Sequence, residues 1–210
     1  MTLIKSKLNQ GKILSLFPTM VGLYQPEEDF GILKKYSGQF QQANNASTAI
    51  SKNRRVLENY PEIKKIVLQY FKKFCKEVLD IYHEDFDIST SWIVKVFPKG
   101  YSANHNHKNS YYSGLIYYDE YDIDTGKLHF VSNKENNSSF MMIPKKKTIN
   151  NSNDFEITPL KNGLVFFPSH LLHYISQHNN RNTRESLAFN IVPTGSYGSE
   201  DSTYDTSWFN

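Results

Sequence analysis

The stretch ISTSWIVKVFPKGYSANHNHKNSYYSGLIYYD, Ile88–Asp119, decides the fold class. Its two ends, ISTSWIVKV and YYSGLIYY, are short runs dense in β-branched and aromatic residues, with Pro98, Gly100, Asn104 and Asn109 between them. Runs of this kind read as strands and the punctuation as turns. The pattern repeats downstream in GKLHFVS, SFMMIPKK, FEITPLKNGLVFFPS, HLLHYISQH and RESLAFNIVP. About seven strands with no long helix among them predict an antiparallel sandwich or barrel rather than a parallel α/β sheet.

Upstream, KILSLFPTMVGLYQ is strand-like on both sides of Pro18. EEDFGILKKYSGQF predicts a short amphipathic helix from near Pro26, and QQANNASTAISKN a polar loop. In YPEIKKIVLQYFKKFCKEVLDIYH the apolar residues Ile63, Ile66, Val67, Tyr70, Phe71, Phe74, Val78, Leu79 and Tyr82 recur at helical spacing, with Pro61 in the first turn. This helix should lie against a sheet. The order of elements fits a mainly β jelly roll with an amphipathic helix packed on one sheet. With no repeat and no evident boundary, residues 1–210 are expected to form one domain. Residues 1–86 would support a β core over 87–195, followed by a tail over 196–210, which could fold back or pack on a second copy in a homodimer. The Asn- and Lys-rich stretch Ser132–Asn153 is expected to contain a mobile loop, with 136–153 a candidate lid.

Composition narrows the function classes. The chain carries a net charge of +3, with 14 Tyr and 14 Phe to fill a core. Its lysines are dispersed apart from Lys145, Lys146 and Lys147, which excludes a strongly basic nucleic-acid-binding tail and leaves only a local basic groove open. Nucleic acid is therefore disfavoured as a partner. The lone Cys75 excludes a disulfide framework and a thiolate metal cluster. No signal-peptide pattern and no apolar run of transmembrane length stands out, so the expectation is a soluble cytoplasmic protein with no membrane partner.

Chemistry is concentrated in the histidines. His105 and His107 precede a strand, and their i, i+2 spacing puts both side chains on one face of an extended segment. His173 follows the buried run LVFF, and in a jelly roll distant strand ends can meet at one mouth. Imidazole is a ligand for Fe(II), Zn(II), Cu(II) or Ni(II), and three ligands with open positions suit metal catalysis. An H-x-H alone is weak, because such a pair is often a solvent-exposed turn. Arg184 opens RESLAFNIV, where Ser186, Ala188 and Asn190 share its face, and a guanidinium there can grip a carboxylate bidentately. The competing reading of Arg184 is a surface salt bridge.

Taken in order, WIVKVFPKGYSANHNHKNSYYSGLIYY, GKLHF, GLVFFPSHLLH and RESLAFN resemble the 2-oxoglutarate- and Fe(II)-dependent oxygenases. They are similar in particular to a small, mostly uncharacterised branch common in phages and marine bacteria, whose start SLFPTMV also resembles. The resemblance implies a double-stranded β-helix, a form of jelly roll. It implies a dioxygenase that uses Fe(II), 2-oxoglutarate and O2, most simply a hydroxylase of an unidentified small-molecule or peptidyl substrate. His105 or His107 would be the proximal ligand, His173 the distal one, and Arg184 the partner of the distal carboxylate of 2-oxoglutarate. Tyr112, Ser113 and Tyr117 would add hydrogen bonds to cosubstrate or substrate. A phage-encoded copy would work in the host cytoplasm.

The sequence departs from the family at one point. The superfamily pattern is H-x-D/E with a distant His, and here His107 stands at the carboxylate position. A three-histidine set of His105, His107 and His173 is one solution; His107 as first ligand with Asn109 in the carboxylate place is another. Asp119 and Asp124 are more distant carboxylates. The alternative outside this family is a cupin-like metal-binding β-sandwich without 2-oxoglutarate chemistry, in a binding or structural role or as a cosubstrate-independent metalloenzyme.

Overall fold

A computed structural model describes residues 3–4, 13–14, 16–43, 47–132 and 143–209. Two antiparallel sheets face each other in a jelly roll. The larger runs in the order β3 (Gly22–Tyr24), β10 (Gly163–Pro168), β7 (Tyr112–Tyr117), β12 (Arg184–Pro193), β6 (Phe86–Val96), β5 (Thr48–Ser51) and β4 (Phe40–Gln42). The smaller holds β11 (Leu172–Ile175), β8 (Leu128–Val131) and β9 (Asp154–Ile157). Two-residue pairs, β1 (Leu3–Ile4) with β2 (Ile13–Leu14) and β13 (Ser196–Tyr197) with β14 (Tyr204–Asp205), complete the strands.

The central strands explain their own sequences. Every residue of β7 and β10 is buried, so YSGLIY and GLVFFP read as continuous rather than alternating runs. One face of the large sheet meets the small sheet through Val96, Leu115, Tyr117, Val165, Phe167 and Ala188, against Leu128, Phe130 and Ile175. The other face is covered by α1 (Pro61–Phe74), whose Ile63, Val67, Phe71 and Phe74 join the core around Phe86, Tyr112 and Phe166. Gly114 sits where β7, β10 and β12 crowd together; a Cβ there would come within 2.3 Å of the Phe189 ring and of the Val165 carbonyl.

Three upstream expectations change. The region after Pro26 forms only a five-residue 3₁₀ turn, Gly31–Lys35, entered through the Asp29 carboxylate, which accepts from the Gly31 N–H at 2.9 Å. The stretch read as a polar loop contains the hairpin β4–β5, which adds to the sheet beside β6. The long helix widens into a π turn at Cys75–Leu79 and stops at Asp80 in the left-handed region, leaving Val78 and Tyr82 exposed. Of the expected SFMMIPKK strand, 139–142 lie outside the described residues, as does much of the expected loop and lid, over 133–142. Residues 143–151 are exposed and form no strand, and the C-terminal hairpin folds back on Gly195, whose carbonyl accepts from the Thr206 N–H. Among the described residues no helix is long and apolar enough to cross a membrane.

Candidate active site

The segment after β6 runs antiparallel to β11 and extends the small sheet at its edge. Ser102 donates its N–H to the Ile175 carbonyl at 3.1 Å, and His107 to that of Ser169 at 2.9 Å. Between them His105 and His173 exchange both backbone hydrogen bonds, each 2.9 Å. Residues so paired present their side chains on one face, and i, i+2 geometry brings His107 to the same face. The ring centroids of His105 and His173 are 4.3 Å apart, and His107 lies 5.1 Å from His173. One nitrogen from each ring falls within 4.8 Å of the others.

The protonation states suit a metal. His105 Nδ1 faces the Ala103 carbonyl at 2.7 Å and His173 Nδ1 that of Leu171 at 2.9 Å. An imidazole that donates from Nδ1 has its Nε2 lone pair free to ligate. Burial lowers His107 to about 4 and His173 to about 3, with repulsion from His105 adding to both, so each is neutral at pH 7. Trp92 packs edge-on against His107 at 5.5 Å, and Phe167 lies 4.7 Å from His173.

The other histidines are occupied elsewhere. His129 pairs with Asp154 at 2.9 Å and stacks on Tyr174. His178 is buried between the Gly126 N–H and the Asn182 carbonyl, and His83 meets the Asp85 carbonyl. Among the described residues no carboxylate joins the three-histidine group. Asp119 is held by Lys34 at 2.6 Å, Asp124 lies exposed in a turn, and Asn109 occupies the left-handed region at φ 58°.

Arg184 is buried on the inner face of β12. Its Nε donates to the Gly126 carbonyl and Nη1 to Ser186 Oγ, both at 3.1 Å, while Nη2 has no partner. Among the described residues it makes no salt bridge, which sets aside the surface-pair reading. The Tyr117 hydroxyl, on the same inner face, is likewise buried without a hydrogen bond; its ring centre lies 5.4 Å from the guanidinium carbon. Burial raises the Tyr117 phenol above its ordinary range, opposed by the nearby guanidinium. A buried cation and hydroxyl left unsatisfied side by side are costly alone and match an anion with several acceptor oxygens.

Of the other sequence candidates, Ser113 faces inward and bonds Ser169 and Asn190, whereas Tyr112 points to the helix side, between Phe71 and Phe74. Trp92, Thr90 and Ser169 were not singled out by the sequence. For Trp92 the signal was there, since it shares the inward parity of Val94 and Val96.

A family model described as "Putative 2OG-Fe(II) oxygenase" matches residues 90–190. A search of curated proteins found no match. Among solved structures, the chain is similar to HygX from Streptomyces hygroscopicus with nickel and 2-oxoglutarate bound, at 10% identity and a TM-score of 0.57, over 84% of each chain. It is also similar to the non-heme alpha ketoglutarate dependent epimerase SnoN from nogalamycin biosynthesis, at 6% identity and a TM-score of 0.56, covering 80% of this chain and 73% of that one. An oxidoreductase of the 2OG-Fe(II) oxygenase family from Burkholderia pseudomallei matches at 9% identity and a TM-score of 0.51, over 74% and 72%. The matched residues 90–190, which hold all three clustered histidines and Arg184, are similar to the 2OG-Fe(II) oxygenases.

Proposed function

We propose that this oxygenase hydroxylates a C–H bond of a small-molecule or peptidyl substrate, with His105, His107 and His173 holding Fe(II) and with Arg184 and Tyr117 holding 2-oxoglutarate. The observation that carries the reading is the pairing of two unsatisfied features. Three imidazoles converge at the edge of the small sheet, and an unpartnered guanidinium nitrogen and phenol lie on the inner face of the large sheet. The residues fit the groups the family uses: borderline nitrogen donors for ferrous iron, and a buried fork and hydroxyl for a carboxylate.

When bound, iron and 2-oxoglutarate supply the activation of O2, with succinate and CO2 as co-products. The chain's own tasks are orientation and exclusion of water. The Ala103 and Leu171 carbonyls fix the tautomers of His105 and His173, and Trp92 and Phe167 wedge the rings. Gly126 and Ser186 hold the guanidinium so that Nη2 stays aimed at the cosubstrate. Leu115, Val165, Leu128 and Phe130 keep the space between the sheets dry. Tyr112, on the helix side, has no part in this reading.

The same reading takes the chain as one domain over 1–210, from the branch common in phages and marine bacteria. It works in the cytoplasm, where a single reduced cysteine and ferrous iron are at home; burial pushes the Cys75 thiol up to about 11. Its partners would be the substrate and, through the C-terminal tail, a second copy. The test is Fe(II)-dependent succinate formation from 2-oxoglutarate. Wild-type protein should form succinate, and His173→Ala should not. Succinate formation that survives His173→Ala would remove the three-histidine centre from the account.

A further inference from the structure

At the end of the inner face away from Arg184, Ser169, Ser113, Asn190 and Thr90 form with Ser110 a chain of hydrogen bonds. Ser110 Oγ donates to Ser169 Oγ at 2.8 Å, and Ser169 and Ser113 share a bond of 2.9 Å. Ser113 Oγ donates to Asn190 Oδ1 at 2.7 Å, and Asn190 Nδ2 donates to Thr90 Oγ1 at 2.9 Å. The proton count fixes the direction. Because Ser113 gives its proton to Asn190, Ser169 must be the donor in the bond they share. Thr90 Oγ1 accepts from Asn190, so its own hydroxyl proton points elsewhere, and Asn190 keeps a second N–H to give.

Position ties these donors to the reaction. Along β12, Arg184, Ser186, Ala188 and Asn190 share one face, with Arg184 and Asn190 at its two ends. Ala188 lies opposite Trp92, which touches His107; Ser113 lies opposite Phe167, which touches His173. Thr90, Asn190 and Ser113 therefore share a row with Phe167, level with the histidines and at the end of the face away from Arg184. Thr90 and Asn190 are half-buried, as is Trp92 beside them. Thr90 keeps the inward parity of Trp92, Val94 and Val96, and the β-bulge just beyond it, where Ile191 pairs with Ile88 and leaves Ser89 as the extra residue, turns Ile88 and Phe86 to the helix side. Bulges beside active sites commonly redirect a side chain in this way.

Charge narrows what the donors take. With three neutral ligands, iron and dianionic 2-oxoglutarate would cancel, and buried Arg184 would leave the loaded site one unit positive. Resting on the oxygenase reading above, we propose that Thr90 and Asn190 bind a carboxylate of the substrate, so that the chain acts on a small carboxylic acid such as a free amino acid.

The test is anaerobic calorimetry on the full chain loaded with Mn(II) and 2-oxoglutarate, which reads binding without turnover. The probes are the proteinogenic amino acids, their amides, and the amines that lack the carboxyl carbon. At least one amino acid should bind at least tenfold more tightly than its matched amide and amine. Thr90→Val and Asn190→Leu should each weaken it at least tenfold more than they weaken 2-oxoglutarate; Thr90→Val is nearly isosteric, so the test survives if Asn190→Leu fails to fold. Amides or amines binding as well as acids, no acid binding at all, or Thr90→Val binding like wild type would each overturn the proposal. If 2-oxoglutarate itself fails to bind the wild type, the oxygenase reading is what has failed, and this proposal falls with it.

Discussion

Tyr117→Phe should move stability and cosubstrate affinity in opposite directions. The Tyr117 hydroxyl is buried without a hydrogen bond, so removing it relieves a desolvation cost of about 1 kcal/mol or more while the ring packing is kept. For a domain of this length the melting temperature without ligand should rise by about 2–4 °C. The same hydroxyl is assigned to the distal carboxylate of 2-oxoglutarate. A hydrogen bond to a charged group is worth about 1.5–3 kcal/mol, so the variant should bind 2-oxoglutarate about 10- to 150-fold more weakly. At a concentration 100 times the wild-type Kd, the wild type gains about 2.7 kcal/mol, whereas a variant weakened about 30-fold gains only about 0.9 kcal/mol. The order of melting temperatures should therefore reverse. Calorimetric melts of both proteins with Mn(II), with and without 2-oxoglutarate, measure this directly. A variant less stable than wild type without 2-oxoglutarate, or one that keeps its lead with it, refutes the assignment.

The metal-free protein should lose stability in acid. The unfolded chain protonates His107 and His173 near the ordinary value of 6.5, whereas the folded chain resists until about 4 and about 3. The folded pKa values are depressed, so this stability is present above pH 6.5 and is lost as pH falls toward 3. The slope approaches two protons, about 2.7 kcal/mol per pH unit, less whatever solvent reaching half-buried His107 screens. Urea midpoints at pH 7.5 and 5 that coincide would contradict it. Phe71→Ala, which empties a fully buried site between Phe74, Phe86, Tyr112 and Phe166, should cost about 3–5 kcal/mol in urea denaturation; a loss under 1 kcal/mol, on the order of an exposed substitution, would mean α1 is not docked as described. His107→Ala should reduce Fe(II) affinity at least tenfold more than Asn109→Ala in a chelator competition, and the reverse order would favour the two-histidine alternative.

The β core was legible because β7, β10 and β12 state their burial in β-branched and aromatic residues. The β4–β5 hairpin was not, since its buried positions Thr48, Ala49 and Ser51 are small or polar. Ser51 shows why that composition can sit inside: its hydroxyl accepts from the Ile93 N–H and donates to the Asn53 carbonyl, so no polar group is stranded. The end of the long helix misled for a different reason. Val78 and Tyr82 keep helical spacing, but the backbone turn at Cys75–Leu79 and the left-handed Asp80 carry the chain away from the sheet. In the site, the H-x-H, His173 and Arg184 were readable from spacing and order. The register that sets His105 opposite His173 was not, because it depends on hydrogen bonds between segments some 68 residues apart, each 2.9 Å. Thr90 was legible by the same alternation as Trp92; what the bulge at Ser89 hides is that Ile88 and Phe86, of the same parity, turn to the helix side.

Iron and 2-oxoglutarate should bind together on this chain. Anaerobic titration of the metal-free protein with Fe(II), then with 2-oxoglutarate, followed by visible absorbance, tests it most directly. A weak metal-to-ligand charge-transfer band should develop on the second addition, absent in His173→Ala and weakened in Arg184→Ala. A protein that binds Fe(II) but never develops the band would contradict it and leave a cupin-like metal site without 2-oxoglutarate chemistry.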